Sequence, residues 1–214
     1  MRIVFDLDGT LIDSVRDIHA AVNAMLDEVG HPPLSLQTVT GFVGNGLPHL
    51  VGLVIDQTGL DRSDHVRLSE RVLHHYTHPQ THLTVPYPGA VAALGALHDA
   101  GHALGICTNK PHAATLRELD RLDLRHYFSA INGGDSFETR KPDAAPLLNT
   151  LSELGDGPAL FVGDSEVDTN TARNAQVPFA LFTKGYRKTP IADLPHELAF
   201  DDFAELTDFV ADMG

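Results

Sequence analysis

Cysteines and basic residues are scarce in this chain of 214 residues. Cys107 is the only cysteine, so no disulfide can form within the chain, and such usage suits a reducing compartment. The 15 lysines and arginines are outnumbered by 29 aspartates and glutamates, which leaves a formal net charge of −14. This charge argues against nucleic acid or an anionic membrane surface as a partner. A phosphate ligand would in addition need cations or a metal placed next to it.

Long hydrophobic runs are also missing. No segment approaches the roughly 20 apolar residues of a membrane-spanning helix, and the apolar run before Asp6 is too short for a signal peptide. We therefore expect a soluble, cytoplasmic protein with no membrane partner, as a monomer or homodimer. The length allows one large domain, or a core domain that carries an insert.

Short apolar runs alternate with helical patterns over most of the chain, which is typical of a parallel sheet with crossover helices. The predicted strands are 2–6, 102–108, 129–132, 158–163, 179–183 and 198–200. The predicted helices between them are 90–100, 113–122, 144–154, 167–175 and 203–211. The sequence therefore predicts an α/β fold with a doubly wound, mostly parallel, Rossmann-like sheet.

One long segment interrupts this alternation. From 14 to 85 the pattern is helical, with predicted helices at 15–29, 47–55 and 66–76. Prolines and a glycine after Val85 indicate a stiff hinge at its end. We interpret 1–13 with 86–214 as the core and 14–85 as a helical cap, inserted after the first strand and folding over the end of the sheet.

The first strand leads directly into Asp6 and Asp8, which are followed by Gly9 and Thr10. Residues at this spacing point to the same side of a strand, so two carboxylates emerge together at its carboxyl end. Ligands of open α/β sheets bind at these ends. Two carboxylates so close together are costly unless a metal or a shared proton relieves them. This pattern predicts a site rather than a surface turn.

Three later segments bring further polar groups toward the same edge. Thr108 and Asn109 follow the second strand, Lys141 precedes a helix, and Asp164 and Asp168 follow the fourth strand. Each segment alone is typical of a helix cap or a solvated loop. Because the doubly wound fold collects the carboxyl ends of separate strands in one crevice, together they predict a single site.

These four motifs, in this order, resemble those of the haloacid dehalogenase-like hydrolases, and the helical insert resembles their small cap. Two further features are similar to phosphoglycolate phosphatases: the Thr-Asn-Lys triplet that ends at Lys110, and the glycine-rich run 41–47. The resemblance spans essentially the whole chain. It implies a Mg²⁺-dependent phosphatase that hydrolyses a small phosphate monoester, above all 2-phosphoglycolate, through an aspartyl-phosphate.

The resemblance also implies a role for each motif residue. Asp6 would be the nucleophile, and Asp8 the general acid and base. Mg²⁺ would be bound by Asp6, the Asp8 main-chain carbonyl and Asp164, with support from Asp168. Thr108 and Lys141 would be catalytic as well, since they would hold the phosphoryl oxygens together with Asn109 and offset the charge that develops during transfer. The other substrate contacts would be Gly9, by close approach of the main chain, and Gly44, Asn45 and Gly46 in the cap.

Other activities can be weighed against these residues. A phosphonate-cleaving relative would need a cap lysine, and the first lysine in the chain is Lys110. Asp8 disfavours both that reaction and the dehalogenation of haloacids. Another small-molecule phosphatase or a β-phosphoglucomutase-like enzyme stays open, as does a non-catalytic, phosphate-binding regulatory protein. Cations available in the cap are arginines: Arg16, Arg62, Arg67 and Arg71.

Overall fold

The computed structural model of the protein describes residues 1–79 and 82–213. The chain divides into two compact units, one formed by Met1–Asp13 and Pro86–Gly214 and the other by Ser14–Val85. Within the described ranges, no helix is both long enough and apolar enough to cross a membrane.

The first unit is built on a six-stranded, entirely parallel sheet in the order β5-β4-β1-β6-β7-β8, and β2 pairs with β3 in a separate two-stranded sheet. The strands are β1 Arg2–Phe5, β2 Ile12–Asp13, β3 Val85–Pro86, β4 Ala103–Cys107, β5 Ala130–Asn132, β6 Ala159–Gly163, β7 Phe179–Phe182 and β8 Leu198–Phe200. The predicted fold class is confirmed, and the six predicted strands agree with the main sheet to within one residue at each end.

The helices of the described residues are α1 Val15–Glu28, α2 Leu36–Thr40, α3 Leu47–Thr58, α4 His65–Thr77, α5 Ala90–Asp99, α6 His112–Arg121, α7 Ala144–Glu153, α8 Glu166–Ala175 and α9 Phe203–Asp212. Alternation along β1 shows why helices cover both faces of the main sheet. Ile3 and Phe5 belong to one buried cluster with residues of α5 and α9, while Val4 belongs to a second cluster with residues of α7 and α8. Because successive side chains of a strand point to opposite faces, one apolar strand supplies both cores.

The position of β1 determines where a site can form. β1 lies between β4 and β6, so the chain winds to one side of β1 and then to the other. Ligands of doubly wound sheets bind in the crevice outside the carboxyl ends of the strands at such a switch point. The residues that follow β1, β4 and β6 therefore border this crevice.

The second unit is a small helical assembly in which α1 packs against α2 and α4, and α3 packs against α4. The short helix α2, capped by the Ser35 hydroxyl, was not predicted, because five residues are too few to show a helical period. Helix α3 continues to Thr58, three residues past its predicted end, and stops where Gly59 adopts a φ of 74°. Asp17, which is buried, accepts hydrogen bonds from the main chain of Leu83 and Thr84 and so joins the two ends of this unit.

Candidate active site

The predicted site residues of the first unit gather at the carboxyl edge of the main sheet. Asp6 follows β1 directly, Thr108 follows β4, and Asp164 follows β6. All three are buried, as is Lys141 in the loop before α7. Polar side chains in a surface turn would be exposed to solvent, so the burial of these four indicates a preorganised functional site.

Lys141 lies between two carboxylates. Its Nζ is 2.8 Å from Asp6 Oδ1 and 2.7 Å from Asp168 Oδ1, and its side chain is only 2% exposed. Asp168 also accepts hydrogen bonds through Oδ2 from the main-chain N–H groups of Asp164 and Ser165 and from the Ser165 hydroxyl. Asp168 therefore fixes both the lysine and the start of α8, which follows Ser165.

Burial raises the pKa of Asp6 to about 6; the ammonium of Lys141 acts against this shift, and the nearby carboxylate of Asp168 adds to it. Burial, together with the charges of Asp168 and Asp6, also holds the pKa of Asp164 well above its ordinary value. Although burial alone would lower the pKa of Lys141, Asp168 and Asp6 raise it above the usual range. The site thus holds more negative charge than its lysine can neutralise.

Asp164 is held by two donors from distant parts of the chain. The Thr10 hydroxyl donates to Oδ1 at 3.0 Å, and the main-chain N–H of Tyr186 donates to Oδ2 at 2.6 Å. Gly9, with a φ of 89°, leaves the space that they need, because a Cβ there would lie 2.6 Å from Asp164 Oδ2 and 2.8 Å from the Tyr186 ring. The contact of Gly9 with substrate stays a prediction. Its packing against Asp164 and Tyr186 is a separate reason why this position requires a glycine.

The acidic residues of the site are suited to a hard divalent cation. Asp6, Asp164 and Asp168 each offer a carboxylate oxygen, and these oxygens lie within 4.8 Å of one another. All donors in this group are oxygens, the ligand type that Mg²⁺ prefers over softer metals. Burial above all, and the neighbouring carboxylates in addition, raise the pKa values of Asp6 and Asp164, and a divalent cation would favour the charged forms of both.

Asp8 faces a lysine that the sequence analysis left without a role. Lys110 Nζ is 2.9 Å from Asp8 Oδ1 and 3.1 Å from Oδ2, so the ammonium binds both carboxylate oxygens. The lysine side chain is 4% exposed and that of Asp8 is 14% exposed. This partly buried ion pair joins the residues that follow β1 and β4, and it gives Asp8 a fixed orientation.

The segment Thr108–Lys110 is held in place by main-chain contacts. Thr108 N–H donates to the Asn132 carbonyl, the Asn109 side-chain amide donates to the Lys141 carbonyl at 3.0 Å, and Gly134 N–H donates to the Lys110 carbonyl at 2.8 Å. A Cβ at Gly134 would come closer than 3.0 Å to the main chain of Asn109. The glycine therefore lets two loops pack backbone to backbone, which fixes the groups that would meet a phosphoryl oxygen.

Gly44, Asn45 and Gly46, predicted as substrate contacts, lie in the helical unit. Gly44 has a φ of 123° and Gly46 a φ of 85°, and Gly46 immediately precedes α3. Both glycines adopt backbone conformations that other residues rarely take. Their contact with a substrate stays a prediction.

Sequence reasoning missed several residues that build the site. Lys110 was visible as the first lysine of the chain, next to a predicted motif, and its position should have indicated a role. Thr10 lies within a motif but was not assigned. Gly185 and Tyr186 follow β7 with no recognisable pattern, and only the folded chain brings them to Asp164.

Gly185 provides a test of how tightly Asp164 is held. A Cβ at Gly185 would come closer than 3.0 Å to the Asp164 side chain, whereas a Cβ at Gly95, inside α5, would meet nothing nearer than 3.7 Å. We expect G185A to displace the buried carboxylate from its donors and to lower the free energy of unfolding by about 1–3 kcal/mol. G95A, the matched control, should leave stability unchanged or raise it. Thermal and urea unfolding of both variants measure the difference, and equal stabilities would contradict the close packing.

Comparisons with known proteins agree with this architecture. Residues 3–182 match the family model for haloacid dehalogenase-like hydrolases. The phosphoglycolate phosphatase of Cereibacter sphaeroides is 48% identical over 210 residues, which cover 97% of this chain and 96% of that protein. The phosphoglycolate phosphatase of Rhodobacter capsulatus is 40% identical, with 97% and 95% covered.

A solved structure extends the similarity to the fold. The crystal structure of a predicted phosphoglycolate phosphatase from Haemophilus somnus aligns with a TM-score of 0.92 at 31% sequence identity. The alignment covers 97% of this chain and 96% of that one, so it includes residues of both units.

Proposed function

Because the chain belongs to the haloacid dehalogenase-like hydrolases, and is a phosphoric monoester hydrolase, we propose that it is a Mg²⁺-dependent phosphatase acting on 2-phosphoglycolate. The arrangement that carries the chemistry is the pair of carboxylates Asp6 and Asp8, each bound to its own buried lysine. The substrate is supported by the relatives named phosphoglycolate phosphatase, which are up to 48% identical and align over almost the whole chain.

In the first step, Asp6 attacks phosphorus and the bond to the departing oxygen breaks, which leaves an aspartyl-phosphate. Asp8 donates a proton to the departing alkoxide, so that the product leaves as an alcohol. Lys141, held by Asp168, keeps the Asp6 oxygen in position and opposes the burial that would otherwise keep Asp6 protonated. The burial of Asp6 and Lys141 limits the access of water to this step.

In the second step, Asp8 takes a proton from the water that attacks the aspartyl-phosphate, and phosphate leaves as Asp6 is regenerated. Thr108 and Asn109, fixed by the loops around them, donate to phosphoryl oxygens together with Lys141. When bound by Asp6, the Asp8 carbonyl and Asp164, with Asp168 behind them, Mg²⁺ would supply the positive charge that lets an anionic phosphate approach a carboxylate.

The proposal gives the unit Ser14–Val85 the role of a cap that selects small substrates. Its glycine-rich turn would contact the substrate through main-chain N–H groups of Gly44, Asn45 and Gly46. The turn leads into α3, and the first N–H groups of a helix are suited to binding an anion. The unit contains no lysine.

A substrate panel tests the proposed function. We expect kcat/KM for 2-phosphoglycolate to exceed that for β-glucose 1-phosphate, pyrophosphate and a bulky aryl phosphate.

The dependence on Mg²⁺ has its own test. Activity should disappear on exhaustive chelation and return with Mg²⁺, and Mg²⁺ should raise the melting temperature of the metal-free protein. D164N should abolish this Mg²⁺-induced shift, whereas D156N, at an exposed carboxylate, should retain it. A preference for another ester would reject the substrate, and full activity after chelation would reject the metal.

A further inference from the structure

Tyr186 connects the carboxylate of Asp164 to a second acidic residue of the first unit. Its main-chain N–H donates to Asp164 Oδ2 at 2.6 Å, and its side-chain hydroxyl donates to Asp13 Oδ1 at 2.8 Å. Because both contacts belong to one residue, the place of the phenol ring and the direction of the N–H group depend on each other. Neither Tyr186 nor Asp13 has a role in the mechanism above.

The two donors to Asp164 determine how it can meet a cation. A carboxylate oxygen has two lone pairs. The Thr10 hydroxyl takes up one lone pair of Oδ1, and the Tyr186 N–H takes up one of Oδ2, which leaves a lone pair on each oxygen for a metal. Groups that orient a metal ligand in this way strengthen metal binding, since the ligand loses less freedom when the metal arrives.

The main chain that carries this N–H group includes a glycine. Gly185 directly precedes Tyr186, and a glycine gives the main chain more conformational freedom than any other residue. A side chain at Gly185 would collide with that of Asp164, so the close packing requires the glycine. An anchor on the Tyr186 side chain therefore restricts a donor that follows a flexible position.

Asp13 is a suitable anchor because it belongs to a strand. It ends β2, and the carbonyl of Leu11, two residues earlier, accepts a hydrogen bond from the Tyr87 main-chain N–H at 3.0 Å. The Tyr186 ring packs against Gly9, where a Cβ would lie 2.8 Å from a ring carbon. Burial raises the pKa of Tyr186, with Tyr87 and Asp13 adding to the shift, so the hydroxyl keeps the proton that it donates.

We propose that Tyr186, anchored through its hydroxyl to Asp13, is a positioning residue for Asp164 and so strengthens the binding of Mg²⁺. The inference rests on the proposed Mg²⁺ site and adds the pair of residues that orients one of its ligands. In this role Tyr186 acts through Asp164 and touches neither the cation nor the substrate.

The first measurement uses Mg²⁺ alone and the substrate-free protein. We expect Y186F, which removes only the hydroxyl, to weaken Mg²⁺ binding about tenfold, measured from the rise of the melting temperature with Mg²⁺ concentration. In the activity assay, half-maximal turnover should need correspondingly more Mg²⁺, while kcat at saturating Mg²⁺ changes less. Y127F, at a half-buried tyrosine of the same unit, is the matched control and should behave as wild type. Equal Mg²⁺ affinities of Y186F and wild type would overturn the inference.

Variants of Asp13 separate the anchor from its charge. D13A removes the acceptor and should weaken Mg²⁺ binding about as much as Y186F, whereas D13N keeps an acceptor oxygen and should retain most of the affinity. Because both groups act through one hydrogen bond, the double variant Y186F/D13A should bind Mg²⁺ no more weakly than either single variant. Additive losses, or a loss in D13N as large as in D13A, would contradict the proposed anchor.

Other roles of Tyr186 predict different results. A direct contact of its hydroxyl with substrate would raise KM at saturating Mg²⁺ in Y186F and leave the Mg²⁺ affinity of the substrate-free protein unchanged. A purely structural role would lower the melting temperature of the metal-free variant and leave the increment from Mg²⁺ unchanged. Either result rejects this inference alone, whereas a wild type whose melting temperature does not respond to Mg²⁺ would reject the proposed metal site itself.

Discussion

Replacing Asp6 by asparagine should reduce turnover by about 10⁴-fold or more, because the amide cannot attack phosphorus and no aspartyl-phosphate can form. The fold should survive, since asparagine has almost the same shape and Lys141 keeps its contact with Asp168. Phosphate release and thermal unfolding, measured on the same preparation, separate the two effects. A folded D6N protein with wild-type turnover would contradict the nucleophile assignment.

The pH dependence of stability provides a control for this variant. Burial raises the pKa of Asp6 from its ordinary 3.8 to about 6 in the metal-free protein. A raised pKa means that the contribution of this group to stability is fully present below about pH 4 and is lost as the pH rises through about 6. Asparagine does not titrate, so metal-free D6N should gain stability relative to wild type between pH 4 and pH 7. A constant difference over this range would show that Asp6 ionises as freely in the folded protein as in the unfolded one.

The sheet and the positions of the first carboxylates could be predicted because they follow local rules. Apolar runs of the right length indicate strands of a parallel sheet, and a residue that directly follows such a strand lies at its carboxyl edge. Asp6 and Asp164 were placed in this way, and the structure brings them together with Asp168 and Lys141. Each residue is recognised by its distance from a strand end, which the sequence shows.

The contacts that orient these groups depend on long-range packing. Tyr186 reaches Asp164 across 22 residues, and Lys110 reaches Asp8 across 102. No periodicity or motif encodes such a pair, because the pairing follows from which strands are neighbours and how the loops above them pack. The role of Gly185 could not be predicted from the sequence for the same reason. This glycine leaves space for the Asp164 side chain, and the two residues are neighbours only in the folded chain.

Replacing Lys141 by methionine should have the largest effect on stability and activity together. The variant leaves the buried carboxylates of Asp6 and Asp168 without their shared cation. Breaking a buried ion pair from one side costs about 3–5 kcal/mol, which corresponds to a fall of about 10 °C in melting temperature for a chain of this size. Turnover should fall by about 10²–10³-fold or more, since the proposed mechanism also loses a donor to the phosphoryl oxygens.

A double variant separates the two consequences of this change. K141M combined with D168N removes one of the two orphaned charges and should recover part of the lost stability, because an unpaired buried carboxylate is the main source of the cost. It should recover no turnover, since the cation next to Asp6 is still missing. K188M provides the matched control at an exposed lysine. If K141M melts and turns over like wild type, Lys141 neither neutralises the buried carboxylates nor assists the reaction.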